Sequence, residues 1–432
     1  WVVLLWAWPT GGDPVPRVLA LGVLLHALTA WCAGALALAI GRRQASESSP
    51  LPLRSIAALA GTLAAASPLH LQGIGSGMEV PLASALALAI AWAVVEARVG
   101  AAGVLGALGV LARPELAAWS VALLGVVVLA RARGVAMRRA AIAALVGAGL
   151  AFALWSMWLR ATVGTLLPNA WSVKGKGGGL AGLAYVANEV LPWLPWLVGL
   201  GGIVLVAAAI RRELKLGHAH ATMLFGVTLA TVVLVALTRP LHHGVQFFES
   251  RYFAPLLAAM PVVVALGLAA LPRIAAVVAL VPVAVLAGVQ SKDALARIAQ
   301  NADDTHVLHT QPAQFVAAEL PPDAVVAVEG AGAMRWFTPR TMTIVDLVGL
   351  NDHEAAAVHF DRKAKTCHWI ARAPDFAVIP MDWIPILDDV FALRPIAAFD
   401  DPSYTQVDPP RPLRVIVVAL GDVRDKWQSC VP

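Results

Sequence analysis

Carboxylates are scarce over the first 290 residues of this 432-residue chain, where only Asp13, Glu47, Glu79, Glu96, Glu115, Glu189, Glu213 and Glu249 occur. Charge of either sign is thin overall, at 14%, against 59% hydrophobic residues and a mean hydropathy of +0.74. That combination excludes a soluble protein of this size. The sequence also lacks a GxGxxG or P-loop signature and an internal repeat, so no phosphate-cradling fingerprint or solenoid organises it. What it has instead is a succession of apolar stretches, each approaching the roughly 20 residues that cross a bilayer as helix. Helices are the expected spanning element, because irregular backbone cannot face lipid.

Ten candidate spans follow one another at 15–40, 55–69, 80–95, 100–111, 116–130, 140–159, 194–210, 221–237, 253–271 and 274–289, with 180–190 as a partial or interfacial helix. The second and fourth are short for a full crossing, which is tolerated where the ends line a polar cavity within protein. The character changes near residue 290. Ser291–Pro432 carries thirteen Lys/Arg against nineteen Asp/Glu, a net of −6, whereas the preceding part has a net of +11. The overall +5 therefore joins a basic membrane part, residues 1–290, to an acidic soluble domain, residues 291–432, large enough for its own core. The basic excess sits at loop ends and argues no nucleic-acid partner. In the acidic domain, 324–328, 341–347, 376–379 and 414–419 are strand-like, while 311–320 and 352–360 suit helices, a small α/β pattern.

The cationic loops alternate. Arg42, Arg43, Arg54, Arg98, Arg131, Arg133, Arg138, Arg139, Arg211, Arg212, Lys215 and Arg273 fall on one side, clustered in short connectors. The positive-inside rule assigns that side to the cytoplasm. Asp13, Glu79, Glu115, Glu189 and Glu249 then share the outer side with the long loops and the acidic domain. Ionisable groups at membrane depth are costly and mark function by default.

Four outer motifs stand out. Gly75-Ser76-Gly77-Met78-Glu79-Val80-Pro81 sets Glu79 at the mouth of a span, either as a helix-end cap or as a ligand-binding group. Ala112-Arg113-Pro114-Glu115 opens another span, with Arg113 and Glu115 either neutralising one another or serving a site. Leu167-Pro168-Asn169, followed by Lys174 and Lys176 among glycines, is either a phosphate-binding loop or a solvated one. His242-His243 and then Glu249-Ser250-Arg251-Tyr252 offer a phosphate clamp with Glu249 as its orienter, or else an interfacial anchor. Adjacent histidines are a weak metal signal. Cys32 lies mid-span, whereas Cys367 and Cys430 both lie in the acidic domain, where a disulfide is one open reading. Asp346, Asn351, Asp352 and His353 form a polar patch that suits a turn and helix cap as readily as sugar binding.

The order of Gly77-Met78-Glu79, Ala112-Arg113-Pro114-Glu115, Leu167-Pro168-Asn169 with Lys174, Arg251-Tyr252 and Val345-Asp346-Leu347-Val348-Gly349-Leu350-Asn351-Asp352 resembles the GT-C glycosyltransferases. It is most similar to the bacterial branch of terminal arabinofuranosyltransferases and mannosyltransferase-like enzymes. The resemblance spans nearly the whole chain. It implies a multi-pass protein of a bacterial inner (plasma) membrane, with an extracytoplasmic C-terminal domain. It also implies transfer, with inversion, of a sugar from a polyprenyl-phosphate donor to a cell-envelope glycan, lipid or protein acceptor. On that reading Lys174, Arg251 and Arg113 bind the donor phosphate, while Glu79, Glu115, Asn169, Glu249, Tyr252 and His243 bind donor or acceptor. No cofactor is fixed, and a divalent cation is the candidate. Family members carry their catalytic aspartate in the first outer loop. Here Trp1-Val2-Val3-Leu4-Leu5 is similar to the segment after that loop, so the expected base lies upstream of Trp1, with the first span. Two other classes compete: a non-catalytic anchored glycan-binding protein, and a lipid or solute transporter, which would show broken helices in pseudo-symmetric halves.

Overall fold

The computed structural model describes residues 15–44, 52–75, 79–129, 134–168, 173, 179–194, 200–216, 218–238, 250–404 and 411–431. It is predominantly helical and divides into two compact units: Trp1–Trp155 with Lys176–Ile298, and Ser156–Gly175 with Ala299–Pro432.

The first unit is a helical bundle. Its elements are α1 (Val15–Gln44), α2 (Leu53–Ala65), α3 (Pro68–Gly75), α4 (Val80–Val95), α5 (Val99–Ala112) and α6 (Glu115–Leu129). The long α7 (Val135–Thr162) follows, and then α8 (Gly179–Tyr185), a π-turn (Val186–Val190) and a 3-10 turn (Leu191–Trp193). Next come α9 (Leu200–Leu216), α10 (His220–Thr238), a 3-10 turn (Ser250–Tyr252), α11 (Ala254–Leu257) and α12 (Met260–Leu268). The 33-residue α13 (Arg273–Thr305) runs on toward the second unit. Among the described residues, four helical stretches are long and apolar enough to cross a membrane: Arg17–Gln44, Val135–Thr162, His220–Thr238 and Arg273–Glu319. Five of the remaining expected spans are apolar helices of 10–17 residues. Close helix approach rests on small residues, as expected where dispersion rather than hydrophobic exclusion drives association. A Cβ on Gly106 of α5 would strike the carbonyl of Ala144, and one on Gly147 of α7 would strike that of Gly103, a reciprocal clasp.

The sequence places the boundary between parts at 290/291, but the helix does not stop there. Lys292, Asp293 and Arg297 end the apolar run without ending an alanine-rich helix, so α13 carries the chain through to Thr305. The compact C-terminal unit accordingly begins at Ala299 and takes in Ser156–Gly175 as well.

The second unit holds a π-turn (His306–Thr310), α14 (Gln311–Glu319), β1 (Val325–Val328), α15 (Ala331–Phe337), β2 (Thr343–Asp346), α16 (His353–Ala357) and α17 (Arg362–Ala371). It continues with β3 (Phe376–Pro380), α18 (Ile384–Asp388), β4 (Phe391–Tyr404) and β5 (Arg411–Val423). The sheet order is β2-β1-β3-β5-β4. β1 runs parallel to both β2 and β3, and β5 is antiparallel to β3 and β4. Alternation along β1 sorts side chains onto two faces. Val326 and Val328 pack with Leu308, Val316 and Met334, while Ala327 packs with Trp369, Ile370 and Ile379 on the other side. Cys367 and Cys430 form a disulfide, with Cα atoms 4.8 Å apart, that ties α17 to the segment after β5.

Candidate functional site

Pro114 creates the first piece of the site. A residue preceding proline is pushed out of helical geometry, and Arg113 accordingly sits extended (φ −151°, ψ 124°) between α5 and α6. Its guanidinium turns into the protein: Arg113 is only 4% exposed. Such a group needs partners, because a buried charge without them costs several kcal/mol (order of magnitude). It finds them two residues along the chain and on two other segments. Arg113 Nε donates to Glu115 Oε2 at 3.4 Å, and Nη1 donates to the backbone carbonyl of Arg251 at 2.7 Å. Nη1 also lies 3.6 Å from Glu79 Oε1, and the guanidinium carbon sits 5.0 Å from the Tyr252 ring centroid. The Arg251 guanidinium covers the same ring at 5.1 Å and donates to the Tyr252 hydroxyl at 3.2 Å.

The structure therefore brings together Glu79, Arg113, Glu115, Arg251 and Tyr252 from three places in the sequence. The geometry bears on several of the alternatives left open by the sequence. Glu79 occupies the N-cap position of α4 but makes no capping hydrogen bond with its side chain. That carboxylate, 45% exposed, faces Arg113 instead. Arg113 and Glu115 do neutralise one another, and they also belong to the larger group. Tyr252 is buried within the protein. Behind it, Phe253 stacks on Tyr185 at 6.3 Å. Asn169, Lys174, His243 and Glu249 lie outside the described residues.

Sequence reasoning missed a second buried charge in the helical unit. Glu213 of α9 is 2% exposed. Its carboxylate accepts from the backbone of Ala221 (2.7 Å) and Thr222 (3.0 Å), capping α10 from a distance, and from Gln44 Nε2 of α1 at 2.7 Å. The clue was a glutamate at the end of an apolar run, but only tertiary structure supplies its donors. Glu96, another acid of that basic-loop set, lies 4.0 Å from Arg43.

In the second unit the polar patch after β2 is a turn and a cap. Asp346 accepts from the backbone amides of Val348, Gly349 and Asn351 and from the Asn351 side chain, at 2.8–3.1 Å. Gly349 takes φ +88°, where a Cβ would meet Ala356. Asp352 caps α16 through the amides of Glu354 and Ala355. Burial opposes its charge, but the Ala355 amide, Arg372, the Glu354 amide and His368 together hold its carboxyl below the usual range. Asp352, Glu354 and His368 present donor atoms within 4.8 Å of one another, a spacing a metal ion could use. Arg372 already contacts both carboxylates, at 3.4 and 2.6 Å, and supplies the positive charge there.

Residues 297–415 match a family model described as a domain of unknown function (DUF8728). No curated protein and no solved structure is detectably similar to the chain.

Proposed function

We propose that the protein is a membrane glycosyltransferase that moves a sugar from a polyprenyl-phosphate donor to a cell-envelope acceptor on the extracytoplasmic face. The observation that carries this reading is the convergence of Glu79, Arg113, Glu115, Arg251 and Tyr252 at the ends of apolar helices. A group of cations and carboxylates at one edge of a helical bundle suits a reaction in which a phosphate leaves and a hydroxyl loses a proton. The acceptor oxygen attacks the anomeric carbon from the face opposite the phosphate, and the C–O bond to the phosphate breaks with its electron pair. The configuration inverts.

The roles divide by geometry. Arg113, engaged by two carboxylates and a carbonyl, acts as a positioning residue that fixes Glu79 and the Arg251 turn. Arg251 stabilises the negative charge that develops on the leaving phosphate, with Lys174 as second cation; such preorganised charge is the largest single contribution in reactions of this type. Glu79, the more exposed carboxylate, orients the acceptor hydroxyl or holds a divalent cation. The base that takes the acceptor's proton is not assigned to a residue of this chain. A disulfide in the C-terminal unit is consistent with an oxidising, extracytoplasmic location.

The test is transfer in proteoliposomes, using polyprenyl-phosphate-linked radiolabelled pentose and hexose donors with envelope extract as acceptor. Arg251→Ala should reduce transfer by at least about a hundredfold, or about 2.7 kcal/mol of transition-state stabilisation, with insertion intact. Transfer at the wild-type rate in Arg251→Ala would remove the phosphate assignment. Labelling that places Glu79 and the C-terminal unit on opposite membrane sides would remove the one-sided reading.

A further inference from the structure

Asp352, Glu354 and His368 of the second unit take no part in the transfer chemistry. The start of α16 brings the two carboxylates, and α17 brings the imidazole. The donor atoms of all three lie within 4.8 Å of one another. His368 Nε2 stands 3.5 Å from Asp352 Oδ2. Two ligands bound to one zinc ion at about 2.0–2.1 Å in tetrahedral geometry stand about 3.4 Å apart. This pair therefore already has the spacing of two ligands on one ion.

An independent observation points the same way. His368 Nε2 is buried and makes no hydrogen bond, and an orphaned buried nitrogen calls for a partner such as water or an ion. Asp352 is oriented to meet it. Its Oδ1 accepts from the amides of Glu354 and Ala355 at 2.9 and 3.2 Å, which leaves Oδ2 toward the imidazole. Contacts behind the ligands fix metal sites in this way. His368 is held as well, because its neighbour Cys367 is bonded to Cys430. Arg372, one turn after His368 at the end of α17, contacts Asp352 at 3.4 Å and Glu354 at 2.6 Å. Its side chain is 41% exposed, and exposed pairs are worth at most about 1 kcal/mol, so the guanidinium can swing out into water. A donor set with an imidazole suits zinc, whereas magnesium and calcium take oxygen ligands. Three protein ligands leave the fourth position of a tetrahedral ion to water.

We propose that Asp352, Glu354 and His368 bind a zinc ion, with Arg372 as the alternative occupant that the ion displaces. All four residues fall within the span matched by the domain model. The inference goes beyond the transferase reading and does not require it.

The experiment is calorimetric titration of zinc chloride into the untagged full chain in detergent, with thermal unfolding as the control for folding. The wild type should bind zinc saturably. His368→Ala and Glu354→Ala should each weaken that binding at least tenfold. Arg372→Ala should tighten it at least threefold, because the competing cation is gone, and magnesium chloride should not compete. Glu354 is exposed, so Glu354→Ala decides if His368→Ala does not fold. Three results would each overturn the proposal: no saturable zinc binding, wild-type affinity in the Glu354 and His368 variants, or weaker binding in Arg372→Ala. The second of these would place the ion on other histidines. The readout is binding rather than transfer, so a failed transferase assay leaves it standing.

Discussion

Arg113 and Glu213 are both ionisable side chains almost wholly removed from solvent in the same helical unit, yet they solve the problem of burial differently. Glu213 is closed: two backbone amides, the Thr222 hydroxyl and the Gln44 amide surround its oxygens. Every one of those groups belongs to a helix the carboxylate holds in place, so the group reads as a clamp. Arg113 is open on one side. Its contact to Glu79 leads to a carboxylate nearly half exposed, and Arg251 continues the charge beyond Tyr252. A buried charge is thus no mark of function by itself. An exit to solvent is what the Arg113 group has and the Glu213 group lacks.

The contrast can be broken most forcefully at Arg113. Arg113→Ala takes the cation from a buried carboxylate and from the Arg251 carbonyl, and should lower stability by about 3–5 kcal/mol while also abolishing transfer. A melting curve in detergent that matches wild type would show the cluster to be loosely held. Glu213→Ala comes next. Orphaning the Ala221, Thr222 and Gln44 donors should cost about 3 kcal/mol, read as a lower unfolding temperature. Transfer per folded molecule should stay at the wild-type level, and a selective loss of activity would erase the distinction between clamp and site.

Glu79→Gln should do the opposite. A half-exposed pair at 3.6 Å is worth at most about 1 kcal/mol, so folding should barely change. Transfer should nonetheless fall at least tenfold, about 1.4 kcal/mol. If stability fell and transfer did not, Glu79 would belong with Glu213. The smallest effect is expected in the second unit, at Asp352. Its folded carboxyl titrates below the ordinary value, so its stabilising contribution is fully present above about pH 4, the unfolded range. That contribution is lost as pH falls toward the folded value. Asp352→Asn keeps a helix cap and loses the charge, so the acid-side slope of stability against pH should flatten by less than about 1 kcal/mol. An unchanged slope would move the acid sensitivity elsewhere.

Local chemistry was readable along the chain; partnership was not. The 80–95 span coincides with α4, since an uninterrupted apolar run bounded by Glu79 and Glu96 leaves little choice of ends. Strands β1, β2, β3 and β5 fall on the β-branched runs. β4 escaped notice because Arg394, Pro395, Asp400, Asp401 and Pro402 do not read as a strand. At a sheet edge, prolines and register shifts are tolerated, and β4 is an edge strand with three such shifts. In the site, Glu79, Arg113, Glu115 and the Arg251–Tyr252 pair were visible as polar residues at the ends of apolar runs. The bond from Arg113 to a carbonyl 138 residues away was not, because no periodicity encodes it.

The Cys367–Cys430 bond has a consequence for the order of events in biogenesis. Its second sulfur follows the last strand of the sheet, 63 residues after the first. The loop therefore cannot close until all five strands have been made and have reached the same compartment. A chain stalled before β5 therefore lacks the second sulfur and keeps Cys367 unpaired with it. One covalent bond would thus mark finished copies of the unit from unfinished ones.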